Sequence, residues 1–158
     1  MSDIWPIIRI ATLMDQQPAF ELMSELGYPG LSFVRFSAAY NAVLEHPTMS
    51  LIVAEDENGD VIGLASISTR PQLRLTANLV TIDELVIADR ARGRGVGRKI
   101  LKTVEVMARN LRAGRLELET NRARESYSRG FYIKNGFKEA DSAVMRIDYQ
   151  LPADSHWL

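Results

Sequence analysis

The sequence predicts a mixed α+β fold built on a mostly antiparallel central sheet, and three observations carry that prediction. Asn58-Gly59 sits between two strand-like runs, LIVAED (51–56) and DVIGLASIS (60–68), and this dipeptide favours the positive φ of a tight hairpin. A third strand-like run, TANLVTIDELVIA (76–88), follows and extends the antiparallel meander. After it, a glycine-rich loop, an amphipathic helix and the strand RLELET (115–120) make a strand–helix–strand crossover.

In chain order, IIRIA (7–11) reads as the first strand. Thr12 or Asp15 is expected to cap a helix reaching Leu26, with Phe20, Leu22, Met23 and Leu26 on its apolar side and Gly27 as the residue that ends it. YPG (28–30) is a turn. Ser37 is expected to cap a second helix, AAYNAVLEH, stopped by Pro47. RPQLR (70–74) reads as a loop. Ile100, Leu101, Val104, Met107, Ala108 and Leu111 recur at helical spacing, which predicts a helix from about Val96 to Asn110, ended by Gly114. A further helix is expected near 124–135, with Gly136 in the left-handed position that stops it. SAVMRIDYQL (142–151) reads as the last strand and the remainder as a tail. The chain contains no repeat, linker or low-complexity segment, so residues 1–158 are read as a single domain.

Composition narrows the chemistry. The 158 residues carry a formal net charge of −1, which disfavours nucleic acid or an acidic membrane as the partner. There is no cysteine, so disulfides, thiolate metal sites and cysteine nucleophiles are excluded. His46 and His156 lie far apart and are read as ordinary surface histidines; no metal site is expected. The amino terminus lacks a basic segment leading into an apolar stretch, and no apolar run approaches the roughly 18 residues of a membrane span. A soluble, cytoplasmic protein is expected, with a homodimer left open.

Charge is unevenly placed, however. Residues 90–99, RARGRGVGRK, hold Arg90, Arg92, Arg94, Arg98 and Lys99 with no acid among them. A loop of this composition at a helix start suits a small anion: the first helical N–H groups lack intrahelical partners, and glycines let an anion approach them. A flexible surface loop with solvated arginines is the plainer alternative. The nucleotide P-loop pattern fails because Arg98-Lys99-Ile100 follows Gly97, without the metal-binding hydroxyl. The dinucleotide fingerprint fails because Gly93, Gly95 and Gly97 are spaced GxGxG.

Arg92-x-x-Gly95-x-Gly97, between a strand ending LVI and an amphipathic helix, resembles the R/Q-x-x-G-x-G/A signature of the GNAT superfamily of N-acetyltransferases. Downstream, Asn121 after LELET, then SRGFY (128–132) and KNGF (134–137), are similar to that family's second motif, with eleven positions from Asn121 to Tyr132. The resemblance covers roughly residues 7–150. It implies helices on both faces of the sheet and a cleft where strands four and five splay apart to admit acetyl-CoA, the co-substrate. The pyrophosphate would lie on Arg92, Gly93, Arg94, Gly95, Val96, Gly97 and Arg98; the pantetheine would pair with Leu85, Val86 and Ile87; Asn121 and Tyr132 would also contact CoA.

The chemistry implied is acetyl transfer to a primary amine of a small molecule by direct attack in a ternary complex. An alkyl ammonium with a pKa of about 10.4 must lose a proton, and a departing thiolate of pKa about 8.5 is helped by an acid. Glu84 is the expected base, with Asp83 as second candidate; strand alternation would put the two on opposite faces. Tyr132 is the expected acid. Phe131 is read as core and Tyr127 as helix packing, while a Val86 or Ile87 amide would serve the oxyanion. Acceptor-binding segments would be 22–40, 70–74 and 139–144, where Tyr28, Phe33, Phe36 and Tyr40 either line a site or pack the core. Rival functions are acetylation of a peptide or protein amine, a noncatalytic CoA-binding regulatory domain, and an RNA-binding module using RGRG. Neutral charge and the lack of an aromatic–basic RNA signature weigh against the last.

Overall fold

The structure, a computed structural model, describes residues 5–150. It falls into two compact units, one running to Glu119 and one starting at Thr120. In the first unit five strands form one sheet in the order β1-β2-β3-β4-β5: β1 is Ile7–Ile10, β2 Met49–Glu55, β3 Val61–Gln72, β4 Ala77–Ile87 and β5 Ala113–Leu118. The first four strands pair antiparallel and β4–β5 pairs parallel, as the hairpin and crossover signals predict. The helices of this unit are α1 (Gln16–Glu25), α2 (Phe33–Glu45) and α3 (Val96–Asn110).

Both faces of the central strands are covered. Leu51 to Ala54 and Ile62 to Ile67 are buried without a break, the pattern of strands packed on two sides. On one side α3 packs so closely that a Cβ on Gly63 would lie 3.0 Å from Ile100 Cδ1 and 3.3 Å from Ala54 Cβ. Ile100, Leu101, Val104 and Ala108 form the buried stripe of α3. The residues alternating with Gly63, among them Ile62 and Leu64, face the other way, beneath α1 and α2, which contact β2, β3 and β4. The aromatics of α1 and α2 pack on one another: Phe20 lies 5.3 Å from Phe33 and 5.4 Å from Phe36, Phe36 lies 5.8 Å from Tyr40, and the buried Tyr40 hydroxyl donates to the Thr12 carbonyl at 2.7 Å.

Arg9 of β1 ties the edge of the sheet to the first turn. Its guanidinium donates twice to Asp15 at 2.7 Å and to Glu55 of β2. Asp15 also closes a capping box with Thr12. Hydrogen bonds from Arg9 hold the Asp15 carboxyl below the usual carboxylate range, against the opposing effect of burial. This pair therefore stabilises the fold above the unfolded carboxyl pKa near 3.9, and the contribution is lost as pH falls through the lower folded value.

Several elements differ from the sequence reading. The cap of α2 is Ser32, five residues before Ser37, because Ser32 is extended and its hydroxyl accepts the Arg35 N–H. β3 runs through Pro71 to Gln72, so only Leu73–Leu75 turns. Gly114 lies inside β5; the residue leaving α3 in a left-handed conformation is Arg112 (φ 53°). In the second unit the helix expected near 124–135 is two short ones, α4 (Glu125–Ser128) and α5 (Phe131–Lys134), broken where Gly130 adopts φ 69°. The expected last strand is absent among the described residues: 142–150 has no ladder partner, and Val144, Met145, Ile147 and Tyr149 are exposed. Alternation alone does not make a strand when no neighbouring edge accepts it. Residues 151–158, including His156, lie outside the described residues. No described helix is long and apolar enough to cross a membrane.

Candidate active site

β4 changes partners where the site residues lie. Its ladder with β5 runs from Asn78 to Ile82 and stops at Ile82↔Leu118, while its ladder with β3 continues to Ile87. Leu85, Val86 and Ile87 thus have a strand on the β3 side and, among the described residues, none paired on the β5 side. A chain carrying amides could pair with that edge.

At the same point β4 carries a bulge. Ser66 pairs with Glu84 and Ile67 with Ile82, which leaves Asp83 as the extra residue. Ser66 and Ser68, two apart on β3, share a face; the Ser66 hydroxyl donates to Glu84 Oε2 and the Ser68 hydroxyl to Asp83 Oδ1 at 3.1 Å. Both carboxylates therefore project from the same side of the sheet, the side of α1 and α2. Opposite faces, as simple alternation requires, do not hold here, because the bulge shifts the phase by one residue. Glu84 is reachable by solvent, yet protein surrounds much of it. Burial raises its carboxyl above the usual range, the Ser66 hydroxyl lowers it, and the Asp83 charge raises it again. Burial likewise raises Asp83, opposed by Ser68 and by the charge of Arg70.

The glycine loop connects β4 to α3. A single 3₁₀ turn, Asp89–Ala91, follows the strand; Gly93 (φ 73°) and Gly95 (φ 86°) then take left-handed conformations. Gly95 is the N-cap of α3, no side chain caps that helix, and a Cβ at Gly93 or Gly95 would point into open space. Val96 and Gly97 are buried in the first turn, and the Lys99 N–H donates to the Gly95 carbonyl at 3.0 Å. The arginines here have several local partners. Arg92 pairs with Asp89 at 2.8 Å, Arg94 stacks over Trp5 at 4.4 Å, and Arg90 reaches the buried Asp56 at 3.2 Å; Arg98 is exposed.

In the second unit, Tyr132 sits on α5, half-buried, with its ring 5.1 Å from Phe131 and 6.2 Å from Phe137. Asn121 is exposed, and its side-chain oxygen accepts the Ala123 N–H at 2.8 Å, closing a local turn. Tyr127 donates to Glu139 at 2.8 Å, which raises the phenol; Glu139 also pairs with Arg122. Among the described residues no group of three or more histidines and carboxylates could hold a metal ion. Sequence reading missed Ser66 and Ser68. Their only signal is a pair of serines at strand spacing facing two acids across a hairpin.

The sequence pattern of the Acetyltransferase (GNAT) family matches residues 16–137. The chain belongs to that family. It is 31% identical over 140 residues to the aminoalkylphosphonate N-acetyltransferase of Salmonella typhimurium, covering 87% of this chain and 90% of the relative. Among solved structures it superposes on a putative acetyltransferase from Agrobacterium tumefaciens with a TM-score of 0.78, at 26% identity over 89% of this chain and 99% of that one. An aminoglycoside N-acetyltransferase in complex with CoA matches at a TM-score of 0.77 and 19% identity, over 89% and 93% of the two chains. The protein is thus a GNAT N-acetyltransferase.

Proposed function

We propose that this N-acetyltransferase moves an acetyl group from acetyl-CoA to a primary amine of a small molecule, by direct attack in a ternary complex. The observation that carries the reading is the β4 bulge: it sets the Glu84 carboxylate beside the point where the β5 ladder ends. The Leu85–Ile87 edge suits the amides of a pantetheine arm. The bare start of α3 at Gly93–Gly97, open where a Cβ would stand, suits a pyrophosphate. Arg92, Arg94 and Arg98 would add charge at its rim, and Asn121 and Tyr132 would make further CoA contacts. When bound, acetyl-CoA supplies the activated acyl group.

Glu84 takes the proton of the incoming ammonium, and its raised pKa brings it closer to that task than an ordinary carboxylate. By the family resemblance, Tyr132 of the second unit is the candidate proton donor to the leaving sulfur. The Ile87 amide would receive the developing oxyanion; the Val86 amide turns toward β3, in step with the Ala88 N–H that donates to the Ile62 carbonyl. The absence of cysteine excludes a cysteinyl thioester intermediate. A cytoplasmic setting and a small-molecule acceptor go with this reading, the latter supported by the acceptor named for the Salmonella relative.

A thiol-release assay with acetyl-CoA and a panel of amines tests the proposal. At least one small amine should stimulate thiol release well above the amine-free rate. Stimulation by a peptide amine alone would transfer the reading to protein acetylation. CoA binding without stimulation by any amine would make this a noncatalytic CoA-binding domain.

A further inference from the structure

The sheet face that carries Glu84 is ordered by charge. Moving along β3 away from the β2–β3 turn, the residues on that face are Ile62, Leu64, Ser66, Ser68, Arg70 and Gln72. The strand registers place Ser66 opposite Glu84, Ser68 opposite Thr81, and Arg70 opposite Leu79; across β4, Thr81 faces Glu117 and Leu79 faces Arg115. Three rows result: apolar beneath the helices, acidic at Glu84, Asp83 and Glu117, and basic at Arg70 and Arg115.

Arg70 and Arg115 flank the fully buried Leu79, with Cα positions roughly 10 Å apart across two strand spacings. Both arginines are exposed, and among the described residues neither forms an ion pair. Arg70 is nonetheless close enough to Asp83 for its charge to favour the ionised carboxyl. It stands two residues beyond Ser68, which holds Asp83; that is roughly 7 Å along the strand.

Two carboxylates on one face attract an ammonium and repel any anion attached to it. A second charge of opposite sign along the same face changes which amines fit. We propose that Arg70, supported by Arg115, is the specificity-determining residue for the acceptor, selecting amines that carry an oxyanion a short chain away from the reacting nitrogen. The ammonium lies at Glu84 and Asp83, and the oxyanion points along β3 to the arginine row. Guanidinium groups match phosphonate or carboxylate oxygens with paired N–H donors, which a lysine cannot reproduce. The inference rests on Glu84 as the base, since that fixes where the amine sits.

The test compares 2-aminoethylphosphonate, β-alanine and propylamine as acceptors for wild type, Arg70→Gln, Arg70→Lys and Glu84→Gln, by thiol release. Wild type should favour the two anionic amines, and the ratio between them tells phosphonate from carboxylate preference. Arg70→Gln should raise KM for the anionic amines about tenfold or more with kcat nearly unchanged, and should shift the KM of propylamine far less, since that amine meets Arg70 only through its effect on Asp83. Arg70→Lys should fall between. No wild-type preference for an anionic amine, or equal KM changes for all three acceptors in Arg70→Gln, would overturn the proposal. Glu84→Gln reports separately on the base: it should lower kcat for all three, and a normal kcat there refutes the base role whatever Arg70 does.

Discussion

The loop that follows β4 and the bulge within it would hold charge in opposite ways. Past its carboxyl end, the glycine loop presents backbone: Gly93 and Gly95 in left-handed conformations, an uncapped helix start, and arginines that largely engage local partners. In its middle, the bulge presents side chains: two carboxylates held by serine hydroxyls on the neighbouring strand. A site made of backbone depends on conformation, so almost any side chain added to it is harmful. A site made of side chains depends on protonation, so an isosteric change that leaves every contact in place can remove its chemistry. The loop is therefore best challenged through binding and the bulge through rate.

The largest effect expected is at the bulge. Glu84→Gln keeps the shape and removes the proposed base, so kcat/KM should fall by about 10²–10⁴-fold. The residual rate should climb with pH toward the pKa of the amine, as hydroxide and free amine take over. In wild type the acid limb of the kcat/KM profile should lie above the pH expected for an ordinary carboxylate, because burial raises Glu84. A Glu84→Gln profile identical to wild type would erase the distinction between the two regions.

Next comes Gly95→Glu, which forces a side chain into φ 86° and sets an anion where the pyrophosphate would lie. CoA affinity measured by calorimetry should drop at least about tenfold, which corresponds to about 1.4 kcal/mol. A Cβ at Gly95 meets nothing within 4 Å, so the fold should lose only about 1 kcal/mol from backbone strain, visible as a small shift in Tm. Unchanged affinity would remove the cradle assignment.

The smallest effect separates backbone from side chain within the loop itself. Arg92→Ala removes an exposed charge already paired with Asp89, and CoA affinity should fall only about two- to fivefold, more at low salt than at high. A loss as large as that of Gly95→Glu would mean that side chains, rather than amides, hold the anion.

This difference also explains what the sequence made legible. The turn of the loop could be read from Gly93 and Gly95 because left-handed backbone favours glycine, and glycine is visible in the sequence. The meander and crossover were readable because Asn58-Gly59 and the spacing of the α3 apolar residues are local signals. The bulge was not. Nothing in TIDELVI says that Asp83 is the extra residue; that follows from how β3 registers with β4, a non-local fact. The same reason hid the place of Arg70, although 70–74 was expected to bind the acceptor: its loop-like neighbours Pro71 and Gln72 remain in the ladder, and this puts Arg70 on the face of Ser66 and Ser68. The missing strand at 142–150 is the reverse case, where local alternation was present and a partner was not.

The ion pairs of Arg9 have a consequence beyond the first turn. β1 ends the sheet on one side, and an end strand displays unpaired amides and carbonyls that invite another chain to add itself. With Ile7 and Ile10 exposed, such an edge would be sticky if it were long and uncharged. It is four residues long, and the guanidinium of Arg9, held by Asp15 and Glu55, plants a charge on it. An added strand would have to bury that charge or break its pairs. The network that anchors the first turn therefore also guards the protein against stacking into fibres through its open side.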